Sequence, residues 1–250
     1  MALRAVVLAA GRGVRMGGRE PKTLIPVGDG EPLLHYILKG LHAAAIESLL
    51  VVTGFRPSDV ESFVRAHWDA EVSFVRNARF ASWGNFHSLR LAIDQSPGFV
   101  LVAVNSDIVV HPHVFERVRK TPGDLVLAVQ RRSDLEPEDM RVELAGDRAV
   151  AIGKDLAMER SHGEFCGVSM LSHRAAAAYA DIASELEWRA ETSVYYEDVY
   201  ARLLRAVDAR WATVEDTEYA EVDEPADLEG AARVLEQHAD AWQNAPAPAQ

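Results

Sequence analysis

Five short aliphatic runs, separated by amphipathic stretches and turns, dominate the first half of this 250-residue chain. They lie at residues 3–9, 49–53, 72–75, 99–104 and 125–129. Runs of this length without polar alternation suit strands covered on both faces, and a parallel sheet between helices is the arrangement that covers both. Between them Leu33, Leu34, Ile37, Leu38 and Leu41 recur at helical spacing, as do Val60, Phe63, Val64 and Trp68. Ser58-Asp59-Val60-Glu61 reads as a capping box opening the second helix. The alternation predicts a three-layer α/β/α, Rossmann-like fold around a mixed, mostly parallel sheet with right-handed crossovers. Tyr196, Val199, Tyr200, Leu203, Leu204 and Val207 mark a later helix, and Leu228, Ala231, Ala232 and Leu235 another. Residues 131–164 break the pattern with short strand candidates amid charges, and predict a small β-rich flap over one end of the sheet. No repeat or linker divides the chain, so one domain is expected over 1–240, with a disordered tail at 241–250 where Ala and Pro alternate.

Composition removes several classes of function. The formal charge of −12 disfavours a nucleic-acid surface, which needs clustered Lys and Arg, but leaves room for a local cationic pocket. Cys166 is the only cysteine, so an intramolecular disulfide and a cysteine-rich metal site are excluded, as suits a reducing cytosol. The apolar N-terminal run ends at Gly11-Arg12-Gly13, too soon for a secretory segment. No stretch approaches the ~20 apolar residues of a membrane span. A soluble, cytoplasmic protein with neither membrane nor nucleic-acid partner is expected.

The loop after the first run carries the chemistry. Ala9-Ala10-Gly11-Arg12-Gly13-Val14-Arg15-Met16 combines small residues and glycines, whose backbone N–H groups can cradle phosphate oxygens. It is not a Walker loop, which needs Gly-x4-Gly-Lys-Ser/Thr. A dinucleotide fingerprint wants a third glycine where Met16 stands, and an acid after the second strand, where the chain reads Val52-Thr53-Gly54. An NAD(P)-dependent dehydrogenase therefore rests on Gly11-x-Gly13 alone. Asp107 follows the fourth run directly, where open α/β sheets bind ligands, and Asp223 precedes the final helix. Hard carboxylate oxygens in such places suit Mg²⁺. Asp223 also reads as a helix N-cap ahead of Pro225. Asn85 and Ser88 open a helix and have the donors and acceptors to read a pyrimidine edge; Asn85 equally suits plain capping.

The full stretch LAAGRGVRMGGREPK resembles the signature loop of the sugar-nucleotidyltransferase superfamily, and within it the branch of phosphocholine, phosphonate and polyol-phosphate cytidylyltransferases. Five separated motifs spread the resemblance over nearly the whole chain. It implies Mg²⁺-dependent transfer of CMP from CTP to a small phosphorylated or phosphonate acceptor, with pyrophosphate released. It places Leu8, Ala9, Ala10, Gly11, Gly13, Asn85, Ser88 and Ser106 on the nucleotide, and Arg15 and Lys22 on the triphosphate as the catalytic cations. The metal would lie between Asp107 and Asp223. Asn105-Ser106 ahead of Asp107 departs from the small or acidic pair of many relatives. On the acceptor side the resemblance points to Lys154 in Ile152-Gly153-Lys154, to Glu164 in GEFCGVS, and to Tyr196, Glu197 and Asp198 in YYED. Read without it, Lys154 is a surface cation and Glu197 and Asp198 are acids near a helix N-terminus. The family often dimerises, so a homodimer is a further expectation. Two other readings stay open: a sugar-1-phosphate nucleotidyltransferase using another NTP, and a catalytically silent nucleotide-binding regulatory module.

Overall fold

The computed structural model describes residues 2–28 and 30–243. The chain begins with β1 (Leu3–Ala9) and a loop, then the short hairpin β2 (Pro26–Val27) and β3 (Glu31–Pro32), α1 (Leu33–Ala43), β4 (Ser48–Thr53), α2 (Pro57–His67) and β5 (Glu71–Arg76). It continues through α3 (Phe86–Asp94), β6 (Val100–Asn105), β7 (Ile108–Val110), α4 (Pro112–Lys120) and β8 (Leu125–Gln130). Then come β9 (Arg141–Ala145), β10 (Arg148–Ile152), β11 (Gly163–Leu171), α5 (His173–Trp188) and α6 (Tyr196–Leu203). The last elements are β12 (Ala209–Val214), β13 (Tyr219–Glu221), α7 (Leu228–Gln237) and α8 (Ala239–Gln243). Nine strands form one sheet in the order β5-β4-β1-β6-β11-β8-β12-β10-β9. The first four are mutually parallel, β11 is antiparallel to both β6 and β8, and β12 is parallel to β8.

Side-chain alternation along the strands divides the interior into two cores. Ala5, Val7 and Ala9, with Leu49 and Val51, face α1, α2 and α4 through Leu34, Ile37, Leu41, Val60, Val64 and Phe115. Val6, Leu50 and Val52 face the other way, onto Phe86 and Leu89 of α3, Tyr179 of α5 and Tyr200 of α6. All six residues of β4 are buried, so its valines and leucines each contribute about 1.5–3 kcal/mol of transfer free energy, with no face left for solvent. This is the expected three-layer α/β/α arrangement around a mixed sheet. Among the described residues no helix is long and apolar enough to cross a membrane.

Several local expectations are corrected. α2 starts at Pro57, one residue before the expected Ser58 cap, and no side chain caps it; Arg56, in the left-handed region, precedes it. Proline fixes the first-turn φ and needs no N–H partner, so it takes that position. The 131–164 segment is β-rich, as expected, and is hydrogen-bonded into the edge of the sheet. Its hairpin β9–β10 pairs with β11 at one side and β12 at the other, which closes a circuit of five strands through β8. Residues 241–243, expected within the tail, belong to α8 because Trp242 is buried against Tyr36 and His111. Residues 244–250 of that tail lie outside the described residues. The periodicity does not announce α5, whose inward positions are largely alanine and so contrast weakly with their neighbours.

His111 ties α4 to the C-terminal helices. It is 6% exposed, and its Nδ1 accepts a hydrogen bond from His113 N at 3.1 Å, capping α4. Burial pushes its pKa down to about 4 against the pull of Glu218, with His113, His238 and Arg117 acting in the same downward direction. The folded state thus binds fewer protons than the unfolded chain between the ordinary histidine value and pH 4. That stability is complete above pH ~6.5 and drains away as pH falls toward 4. Asparagine keeps an N-cap acceptor without titrating. His111→Asn should therefore lose less of its urea midpoint than the parent between pH 7 and pH 4.5; equal losses in the two proteins would contradict this origin.

Candidate active site

The glycine loop is shaped around a lysine. Gly13 has φ 63°, and a Cβ there would sit 2.7 Å from Lys22 Cβ, so both conformation and space demand glycine. Gly11 has no left-handed φ, and nothing lies within 4 Å of where its Cβ would be. The protein's own packing does not require glycine at that point, whereas close approach of a ligand would. Single 3-10 turns at Val14–Met16 and Lys22–Leu24 set Arg15 and Lys22 on the same rim.

Two acids far apart in sequence meet there because β7 and β13 form an antiparallel ribbon. Glu221 lies opposite Ile108, and Val222 N donates to Asp107 O at 2.8 Å. One residue further on is Asp223, whose turn is held by Asp227: its carboxylate accepts from the N–H groups of Asp223 and Glu224 at 2.7 and 2.8 Å. Glu224, not Asp223, occupies the N-cap position before Pro225, so the capping alternative for Asp223 falls away. Asp107, Glu221 and Asp223 each offer an oxygen within 4.8 Å of the others. Glu221 is the member that sequence reasoning passed over. Its signal was present: with Asp223 it is an acid pair at i, i+2, and strand periodicity turns both to one side.

Lys22 Nζ bonds Asp107 Oδ2 at 2.9 Å and also bonds Asp223; Arg15 reaches Asp223 Oδ2 at 2.7 Å. Burial works against the Lys22 charge, but Asp107 and Asp223 overcome it and hold its pKa above the ordinary lysine value. Burial likewise opposes ionisation of Asp223, and Lys22, Arg15 and Lys154 reverse that, leaving it below the usual aspartate range. Loss of hydration in the cleft, then the charges of Asp107 and Asp223, raise the Glu221 carboxyl, although the residue keeps an exposed edge. Asp107 Oδ1 is buried with no hydrogen-bond partner. Three hard oxygens converging beside an orphaned one form a donor set that fits a small divalent cation.

The residues expected on the nucleotide divide into two groups. Leu8, Ala9 and Ala10 end β1 beside the loop; Leu8 O accepts from Ser106 Oγ at 2.9 Å, so Ser106 braces β1 against the end of β6. Asn85 precedes α3 without capping it; its Oδ1 accepts from Tyr196 N at 2.8 Å. Ser88 points into the core. It is 3% exposed and accepts from Asn77 Nδ2 at 2.9 Å, because its position on α3 turns inward with Phe86 and Leu89.

A cavity of about 680 Å³ adjoins the acid triad, lined by Arg15, Arg132, Lys154, Glu164, Tyr219 and Glu221 among others. Lys154 is exposed at its rim, and Glu164 is buried in its wall 3.4 Å from Arg132. Burial lifts Glu164 to about 7, with Arg132 pulling the other way. The YYED residues do not line this cavity. Tyr196 is buried with its hydroxyl on Asn105 Oδ1 at 2.9 Å. Glu197 is buried, lifted by burial to about 7, with Oε2 unpartnered. Asp198 accepts from Tyr195 N at 2.7 Å and lines a neighbouring cleft that shares Lys154. An apolar helix face claims Tyr196 and Tyr200, and this draws Glu197 inward with them.

Residues 5–155 match the MobA-like NTP transferase domain. The chain belongs to that family. Over 242 residues it is 29% identical to the bifunctional protein GlmU of Azorhizobium caulinodans, covering 95% of this chain and 52% of that protein. Over 246 residues it is 28% identical to the CMP-5'-(3-aminopropyl)phosphonate synthase of Streptomyces rubellomurinus, covering 90% of this chain and 37% of that protein. The chain thus spans about half the length, or less, of these two curated relatives. Its fold matches the inositol-1-phosphate CTP transferase of T. maritima with a TM-score of 0.79, at 21% identity over 94% of this chain and 98% of that one. It also matches the CTP:phosphocholine cytidylyltransferase of Streptococcus pneumoniae with a TM-score of 0.76, at 18% identity over 94% of this chain and all of the other. This NTP transferase therefore shares the mixed α/β architecture of nucleotidyltransferases.

Proposed function

We propose that this NTP transferase is a Mg²⁺-dependent cytidylyltransferase that moves CMP from CTP onto a small phosphorylated or phosphonate acceptor and releases pyrophosphate. The carrying observation is the meeting of Asp107, Glu221 and Asp223 with Lys22 and Arg15 beside the glycine loop. In this reading Asp107 and Asp223, with Glu221 beside them, hold the cation, which when bound offsets repulsion between two anionic substrates and polarises the α-phosphate. The loop at Gly11 and Gly13 receives the phosphates on backbone N–H groups. Arg15 and Lys22 turn from the acids to the triphosphate and stabilise charge growing on the pyrophosphate. Lys154 holds the acceptor's anionic end at the cavity rim.

An acceptor phosphate or phosphonate oxygen is already anionic, so no protein base or nucleophile is needed. It attacks the α-phosphorus in line, forming one P–O bond while the bond to the departing pyrophosphate breaks. Cytosine as the base is supported by the likeness to CTP-using proteins. A second reading is the same transfer from another NTP to a sugar phosphate. Pyrophosphate release measured for four NTPs against phosphocholine, aminoethylphosphonate, hydroxyethylphosphonate, inositol phosphate and hexose phosphates tests both. CTP is expected to give the highest kcat/KM; preference for another NTP overturns the base assignment, and release with no pair overturns the transferase reading.

A further inference from the structure

Gln130, at the end of β8, has no role in the site described so far. It is 7% exposed and lines the 680 Å³ cavity. Its amide atoms open onto the cavity, where they are free to bond an incoming group. Directly opposite it in the β8–β11 register is Glu164. Opposed residues on paired strands project from the same face, with Cβ atoms about 5 Å apart. Gln130 shares the strand face of Ala128, and Glu164 that of Cys166; both of those pack in the core beneath α1, α2 and α4. Glu164 is 6% exposed, and its charged neighbour, Arg132, is already engaged by Asp139. The pair therefore presents two oxygen acceptors at the wall of the cavity, and a cation set between them would hold Glu164 ionised.

We propose that Gln130 and Glu164 form a subsite for a primary ammonium group, so that the acceptor is an aminoalkyl phosphate or phosphonate rather than a polyol or quaternary-ammonium ester. This rests on the transferase reading above and names its acceptor class. A primary ammonium has three N–H donors, enough to satisfy the Gln130 carbonyl and the Glu164 carboxylate together. The wider cavity agrees in sign, with nine carboxylates lining it against four cations. Arg15 and Lys154 line the same cavity and are the cations available to the acceptor's anionic group. A trimethylammonium group has no N–H to donate and needs a cage of aromatic faces. Tyr219 is the one aromatic ring among the cavity's described lining residues. A neutral hydroxyl would leave the acidic wall without a counter-charge.

The test is kcat/KM for pyrophosphate release from CTP with 2-aminoethylphosphonate, its near-isostere 2-hydroxyethylphosphonate, and phosphocholine. The parent protein should favour the amine over either alternative by about tenfold or more, the discrimination expected when a charged hydrogen-bond partner is missing. Gln130→Met, close in volume, and Glu164→Gln should each bring the amine-to-hydroxyl ratio near unity through the KM of the amine, leaving the KM for CTP unchanged. Equal or better turnover of the hydroxyl compound or phosphocholine by the parent overturns the subsite, as do variants that keep the parent's ratio. The parent comparison needs no variant to fold. Uncharged acceptors used with CTP would sink this inference and spare the transferase reading; no turnover with any NTP and acceptor would sink both.

Discussion

Asp107→Ala lowers the rate of pyrophosphate release at least a hundredfold, while the circular dichroism spectrum and melting temperature stay close to those of the parent. The loss corresponds to about 2.7 kcal/mol of transition-state stabilisation. Asp107 lies past the end of β6 in the open cleft, is only partly buried, and gives its backbone carbonyl rather than its side chain to the β7–β13 ribbon. Removing its carboxylate therefore leaves the packing of both cores in place while taking away the oxygen that has no protein partner. Lys22→Ala should show a loss of similar size for a different reason. Its ammonium is the charge shared by Asp107 and Asp223, and among the described residues no other cationic side chain is ion-paired with both. Near-parent pyrophosphate release by either variant would refute the assigned roles.

Exhaustive chelation with EDTA abolishes turnover, and Mg²⁺ added in excess restores it. Three carboxylate oxygens within 4.8 Å repel one another, and Lys22 and Arg15 supply the opposing charge in the free protein. When those cations move to the triphosphate the acids need a replacement, and a divalent ion supplies it. A second measurement separates binding from catalysis. Mg²⁺ should raise the melting temperature of the parent by mass action, and this rise should shrink in Asp107→Ala. Activity that persists in excess chelator, or an equal thermal response in the variant, contradicts the metal assignment.

How far the site could be read from the chain depends on what each residue answers to. Arg15, Lys22, Asp107 and Asp223 sit in loops beyond strand ends, where local sequence sets backbone shape and side chains need not fill a core. Ser88 and Tyr196 lie on helix faces, and there burial decided. The same Asn-x-x-Ser spacing that suits base recognition also turns Ser88 under α3, and an apolar neighbour at every third or fourth position draws Tyr196 inside. Glu221 went unread because its strand is three residues long and borrows its geometry from β7. Gln130 was invisible for a similar reason, since it ends an apolar run and acquires meaning only through the strand opposite.

Periodicity alone determined the layers: aliphatic runs too short and too apolar for anything but covered strands, alternating with stripes at helical spacing, leave few other ways to bury both. Local chemistry likewise marked the glycine loop and the acid past the fourth run. Tertiary structure decided which acids meet, because the β7–β13 pairing is a contact between distant segments and no local pattern encodes its register. It also decided how the 141–152 hairpin joins the sheet, closing a strand circuit, and that Gln130 faces Glu164 across β8 and β11. Side-chain direction on a strand is set two residues at a time by its own sequence, but its partner is set by the whole fold.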